Sequence, residues 1–210
     1  MDMDTTRFLS QQMLIRQEVQ WAADAFTTGV WGTDATPSPL WDAASSTPIA
    51  DIETAKNTVL TNTGYVPNTV IMSYKVFSAL VDNSDIVDRI KYTSQESVTE
   101  ELLARLFGVD RVLVMASTYN TAAEGATASY SQIGDKDVLV CYTPSSPGLM
   151  VPSAGYNMVW TGVSAGLGTG AAVSRYRIEE RKADRIEIEA AFDFKIVSSA
   201  LGYFLSNVTS

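Results

Sequence analysis

Histidine is absent from all 210 residues, and cysteine occurs once, as Cys141. No intrachain disulfide can form, a Cys/His zinc site has no ligand set, and Ser-His or Cys-His nucleophile pairs are excluded. Long apolar runs are lacking too. None approaches the about 20 residues needed to span a bilayer, so no membrane partner is expected. The opening MDMDTTRF is acidic, with neither a basic region nor an apolar core, and does not read as a signal peptide. Basic runs are also missing: 15 Lys and Arg stand against 24 Asp and Glu, a formal net charge of −9. A protein that grips phosphates by releasing counterions needs a basic patch, and this chain has no basic run. The acid is uneven, with a net of −7 over residues 1–100 and −2 over 101–210. What remains is an ordinary globular balance, 46% hydrophobic and 19% charged. The length suits one good-sized domain or two small ones.

The first element reads as a long helix over residues 5–28. Thr5 or Thr6 is placed to cap it, and Phe8, Ile15, Val19, Ala22 and Phe26 fall on one side. Residues 29–48 read as a connection punctuated by Pro37, Pro39 and Pro48, with Trp21, Trp31 and Trp41 as packing residues. Helix and strand then alternate. Thr47-Pro48 opens a helix that Gly64 can end, and residues 67–72 form a short buried strand. Ser73 and Ser84 are expected to cap two further helices, and Ser97-Val98-Thr99-Glu100 reads as a capping box before a helix closed by Gly108. Two apolar strands follow, at residues 111–115 and 137–142. This middle section reads as an α/β layer around a small sheet.

From Ile186 to Ile196 every even position is apolar, while the odd ones include Glu187, Glu189, Asp193 and Lys195. That alternation predicts one long, half-buried strand. With a weaker strand at 173–179 and a charged turn at 180–184, it predicts an antiparallel ribbon carrying six basic and six acidic groups over residues 175–195. Residues 200–208 supply a final short strand.

Candidate chemistry is sparse. Gly166-Leu167-Gly168-Thr169-Gly170-Ala171 has the spacing of a dinucleotide fingerprint, but a strand follows it where the helix should be, so it reads as a glycine loop. Glu187 with Glu189 reads as a strand face, and Glu100 with Glu101 as a helix N-terminus. Asp82, Asp85 and Asp88 lack the glycine and terminal Glu of a calcium loop. None of the six lysines lies three residues after a serine, which disfavours a Ser-Lys nucleophile. Cys141 sits inside an apolar strand and reads as core. No catalytic, cofactor-binding or metal-binding residue is assigned, and no cofactor is expected.

The order of parts, with Arg7-Phe8-Leu9, Arg16-Gln17-Glu18 and Pro67-Asn68-Thr69-Val70-Ile71-Met72, resembles the major capsid proteins of tailed bacteriophages, the Hong Kong ninety-seven type fold. Leu106-Phe107-Gly108-Val109, Tyr119-Asn120-Thr121-Ala122 with Glu124-Gly125, and Phe192-Asp193-Phe194-Lys195-Ile196-Val197 carry the resemblance further. It implies an α+β fold with a long spine helix, an α/β axial domain and a long antiparallel β-ribbon. Residues 1–47 would hold the spine helix and connection of a peripheral domain, 48–172 the axial domain, and 173–210 the ribbon and terminal strand. The N-terminal arm and extended loop of that family precede its spine helix, so the resemblance implies that this chain lacks them. The function implied is a self-assembling, non-enzymatic shell protein of the icosahedral head. Its implied partners are copies of itself as pentamers and hexamers, with scaffold, portal or decoration proteins and packaged double-stranded DNA enclosed without sequence-specific contact. The implied location is the virion capsid, assembled in the bacterial cytoplasm. Open alternatives are an encapsulin-type nanocompartment, a tail or adaptor ring subunit and, from another class, a small acid/base enzyme without histidine.

Overall fold

The uninterrupted helical pattern at the start of the chain folds as α1 (Asp2–Ala25) in a computed structural model that describes residues 2–90, 98–148, 150–164 and 171–210. Thr5 and Thr6 lie inside this helix rather than at its cap, and the Ser10 hydroxyl donates to the Thr6 carbonyl at 2.8 Å. The helix stops at Ala25, short of residue 28, and Gly29 at φ +82° turns the chain away. Packing divides the chain into two units. Met1–Trp21 and Tyr156–Lys195 form one, here called the ribbon unit; Ala22–Gly155 and Ile196–Ser210 form the other, the sheet unit.

After α1 the chain runs through β1 (Thr33–Ala35), α2 (Pro48–Thr63), β2 (Thr69–Ser73), α3 (Tyr74–Val81), α4 (Ser84–Ile90) and α5 (Glu100–Phe107). Then come β3 (Arg111–Met115), β4 (Thr118–Asn120), β5 (Tyr130–Gln132), β6 (Val138–Cys141) and β7 (Gly155–Val159). Last are β8 (Ala171–Ile178), β9 (Ala183–Ala190), β10 (Phe192–Ile196) and β11 (Gly202–Leu205). The mixture of helices and strands is the α+β class expected from sequence.

The sheet unit is built on five strands in the order β1-β11-β6-β2-β3. β2 and β3 are parallel, and parallel neighbours need a crossover, which α3 to α5 supply. All residues of β6 and β11 are buried, as continuous apolar runs are when both sheet faces are covered. Ile52 and Val59 of α2, Val76 and Leu80 of α3, Ile86 of α4 and Leu103 of α5 complete this core. The final strand expected with the ribbon is instead β11, seated between β1 and β6 in this sheet. β1 lies within the segment read as plain connection and pairs parallel with β11.

Helix ends follow local chemistry, with two changes of residue. Ser73 Oγ accepts from the Val76 N–H at 3.2 Å, as expected. Thr47 makes no side-chain cap bond to α2, although Pro48 opens the helix and Gly64 closes it at φ +78°. Asn83, not Ser84, serves α4: its Oδ1 accepts from the Asp85 N–H at 3.0 Å, while Ser84 Oγ donates to the Ala44 carbonyl. Thr99 Oγ1 accepts from the Leu102 N–H at 3.3 Å, so Thr99 takes the cap role read onto Ser97, which lies outside the described residues.

Gly202 is required by a close approach. A Cβ there would overlap the Trp31 ring carbons Cε3 and Cζ3, and Trp31 is itself held by an Nε1–H bond to the Ala25 carbonyl at 2.6 Å. Gly202→Ala is therefore expected to cost about 1–3 kcal/mol by overpacking. Thermal unfolding should register it as a drop of about 2–4 °C per kcal/mol, and an unchanged midpoint would contradict this packing.

Candidate assembly surfaces

The ribbon is set by its register. β8 pairs antiparallel with β9, Val173 opposite Ile188 and Arg177 opposite Asp184. Opposed residues share a face, so Val173, Ile186 and Ile188 make an apolar stripe that ends at Arg175, Arg177 and Asp184. The other face carries Tyr176, Arg185, Glu187 and Glu189, with the Arg185 guanidinium 5.8 Å from the Tyr176 ring centroid. The strand expected to run unbroken from 186 to 196 divides at Ala191. Beyond it β10 leaves β8 and pairs with β7, and the Ala191 carbonyl accepts from the Trp160 N–H at 3.1 Å. The alternation itself holds, with the even positions half-buried throughout.

Arg175 reaches Asp184 at 2.8 Å, and Arg177 reaches Asp184 at 3.5 Å and Glu179 at 3.2 Å. Arg185 pairs with Glu187. Exposed pairs like these add little stability but fix register. The hydrogen bond from Arg175 holds the Asp184 carboxyl below the ordinary aspartate range. A depressed carboxyl pKa stabilises the fold above the unfolded value and loses that contribution as pH falls through the folded one. Ribbon amides should therefore exchange faster at pH 3 than at pH 5, after correction for intrinsic rates, and Asp184→Asn should reduce the difference. An Asp184 carboxyl titrating at its ordinary value by NMR would contradict the pairing.

Apolar side chains stand exposed on the same unit: Met3, Phe8 and Leu14 along α1, and Met158, Val159 and Trp160 at the end of β7. On the sheet unit the β4–β5 hairpin stands exposed, carrying the Tyr119-Asn120-Thr121-Ala122 string. Asn120 Oδ1 accepts from the N–H groups of Ala122 and Ser129, both at 3.0 Å, and Gly125 takes φ +84° at the bend. The sequence left this segment as loop because its strands are three residues long and polar.

The groups weighed for chemistry are scattered. Glu187 and Glu189 lie on the ribbon, and Glu100 and Glu101 in the first turn of α5. Asp85 pairs with Arg89 at 3.6 Å, and among the described residues no group of three or more metal-ligating side chains converges. Gly166–Gly170 lie outside the described residues. An open groove of about 420 Å³ lined by Asn68, Asp110, Tyr142 and Thr143 is polar, with Asn68 and Thr143 bonded to each other. Asn68 Nδ2 donates to the Thr143 carbonyl, and Arg111 donates to Thr69 Oγ1 and Thr143 Oγ1. Cys141 is buried in β6, with burial pushing its thiol up to about 12 and the nearby Arg111 opposing this weakly.

Residues 34–150 match the family model described as phage major capsid protein E. The chain belongs to that family. It is a structural capsid protein, not an enzyme. It is 25% identical over 171 residues to the major capsid protein of Burkholderia phage BcepMu, covering 79% of this chain and 52% of that one. The chain thus spans about half the length of this curated relative. Its fold is similar to the crystal structure of a phage-related protein from Bordetella bronchiseptica RB50, with a TM-score of 0.77 and 24% identity over 97% of this chain and 66% of that one. A protein of Mycobacterium phage Che8 shares the fold more loosely, with a TM-score of 0.53 and 15% identity over 98% of this chain and 63% of that one. Among the described residues no helix of this capsid protein is long and apolar enough to cross a membrane.

Proposed function

We propose that this capsid protein assembles with copies of itself, as pentamers and hexamers, into the icosahedral head shell of a tailed phage, enclosing double-stranded DNA in the virion. The family match over residues 34–150 carries the reading, and it favours a phage head over a cargo nanocompartment or a tail ring. On this reading residues 1–47 and 173–210 supply the peripheral spine and ribbon, and 48–172 the axial domain. The compact units support this division in part: residues 1–21 and 173–195 share one unit, but residues 22–47 and the terminal strand join the sheet unit, and residues 156–172 join the ribbon unit. The β4–β5 hairpin is then a candidate for the contacts around the symmetry axes. Shell assembly requires many repeated, closed contacts rather than one deep pocket. A net charge of −9 keeps the protein from adhering to the DNA packed beside it. Size-exclusion chromatography with light scattering, followed by negative-stain electron microscopy of the purified chain, tests the reading. Rings or closed shells are expected. A strictly monomeric protein at every concentration reached overturns self-assembly of this chain.

A further inference from the structure

Every buried apolar side chain among the described residues belongs to the sheet unit; none lies in Met1–Trp21 or Tyr156–Lys195. A two-stranded ribbon is marginally stable in water, and so is a helix without a covered face. Among the described residues the ribbon unit holds α1 as far as Trp21, the β8–β9 ribbon and most of the β7–β10 pair, and its apolar surface is left exposed. Val173 is 55% exposed and Trp160 67%. Ile186 and Ile188, beside Val173 on the same ribbon face, are only half-buried.

We propose that the ribbon unit has no core of its own and gains one by docking its Val173–Ile186–Ile188 face onto a second copy of this chain, becoming ordered as it does so. The proposal rests on the shell reading and deepens it by naming the surface and its energetics. Charge selects the occupant. The ribbon unit carries eight basic and nine acidic side chains, whereas the sheet unit carries seven and fifteen. Two copies meeting through their sheet units bring two strongly acidic surfaces together. Meeting through ribbon units, they do so near neutrality. The apolar stripe ends in Arg175, Arg177 and Asp184, and the reverse face holds Arg185, Glu187 and Glu189. Arg175 and Arg177 already pair with Asp184 and Glu179 within the ribbon, so the charged end of the stripe is largely neutralised and two copies meet there without strong repulsion. A polyanion such as DNA would meet as much repulsion as attraction there, and a basic partner would be drawn to the sheet unit instead.

Hydrogen exchange read by peptide mass spectrometry on the full chain, below and above the concentration at which it associates, tests this directly. Ribbon-unit amides should exchange fast in the monomer and slow by about tenfold or more on association, while β6 and α2 peptides are slow in both states. If association occurs and ribbon amides are already as slow as β6 in the monomer, the inference falls and the shell reading stands. If ribbon amides are fast but no association occurs at any concentration, a second copy is not the occupant, and the shell reading falls with it. The pair Val173→Asp and Ile188→Asp should raise the dissociation constant by about 30-fold or more. The near-ultraviolet circular dichroism of the buried Trp31 and Trp41 should stay unchanged, which separates lost docking from lost folding. Unchanged association in this variant also overturns the proposal. Acrylamide quenching of the exposed Trp160 provides an independent readout, since its accessibility should fall on docking.

Discussion

Trp41→Ala is expected to cost about 3–5 kcal/mol of folding stability, the range for removing a large aromatic side chain from a closed core. The ring is fully buried, and its Nε1–H donates to Asp51 Oδ2 at 2.7 Å, tying the proline-rich connection to α2. The same residue's backbone N–H donates to the Val208 carbonyl at 2.7 Å. Its carbonyl accepts from Asn83 Nδ2 at 2.7 Å and from Ser46 Oγ at 3.2 Å. One residue therefore joins the connection, α2, the turn before α4 and the C-terminal segment, its ring packing the centre and its backbone making the bonds to the last two. Alanine empties the cavity while leaving the backbone bonds in place, so the loss is mainly of packing. Trp41→Phe keeps most of the ring and forfeits the bond to Asp51. That carboxylate is not fully buried and can be rehydrated, so about 1–2 kcal/mol is expected. Guanidinium unfolding followed by circular dichroism orders the three proteins. Alanine within about 1 kcal/mol of the parent would show that the junction is not closed around this ring.

Local features of the fold were legible where one residue type has one physical use. β3 starts and ends at the residues its apolar run marks, Arg111 and Met115. Gly64 and Gly108 close their helices in left-handed geometry, which costs glycine nothing. The alternation over 186–196 reported the buried face correctly. It did not report the change of partner at Ala191, because parity is preserved when a strand leaves one neighbour for another. The placement of β11 was illegible for a related reason. Gly202–Leu205 pairs with β6 more than sixty residues earlier, and an apolar run declares that it is buried without declaring beside what. The cap at α4 went to Asn83 because its amide also serves the Trp41 carbonyl, so tertiary context chose between two adjacent polar residues.

The candidate surface was legible in part. Balanced charge on the ribbon and an apolar even-numbered face stand in the sequence. That none of this unit's described side chains is buried does not, because hydrophobic pattern marks which side seeks cover and not whether the chain supplies it. The missing histidine likewise says nothing about assembly. It removes mechanisms, and the surface argument has to come from exposure and charge.

Cys141 should react with a thiol reagent at pH 8 about a thousandfold more slowly in the folded chain than in the unfolded one. The sulfur lies in β6 opposite Thr69 of β2 and Gly202 of β11, in the middle of the five-stranded sheet, with 3% exposure. Burial pushes the thiol up to about 12 from an ordinary 9.0, and three pKa units reduce the reactive thiolate a thousandfold. Reagent access requires the sheet to open, which slows the reaction further and makes the measured rate a gauge of β6 unpairing. The pH dependence has a definite sign. Between about 9 and 12 the unfolded chain has lost the thiol proton and the folded chain has kept it, so this group's contribution to stability falls as pH rises through that window. Cys141→Ala removes the titration, so its stability should decline less steeply above pH 9 than the parent's, whatever the cavity costs at neutral pH. A folded-state labelling rate within tenfold of the unfolded rate would mean that β6 is an accessible edge, which its two paired neighbours in the sheet do not allow.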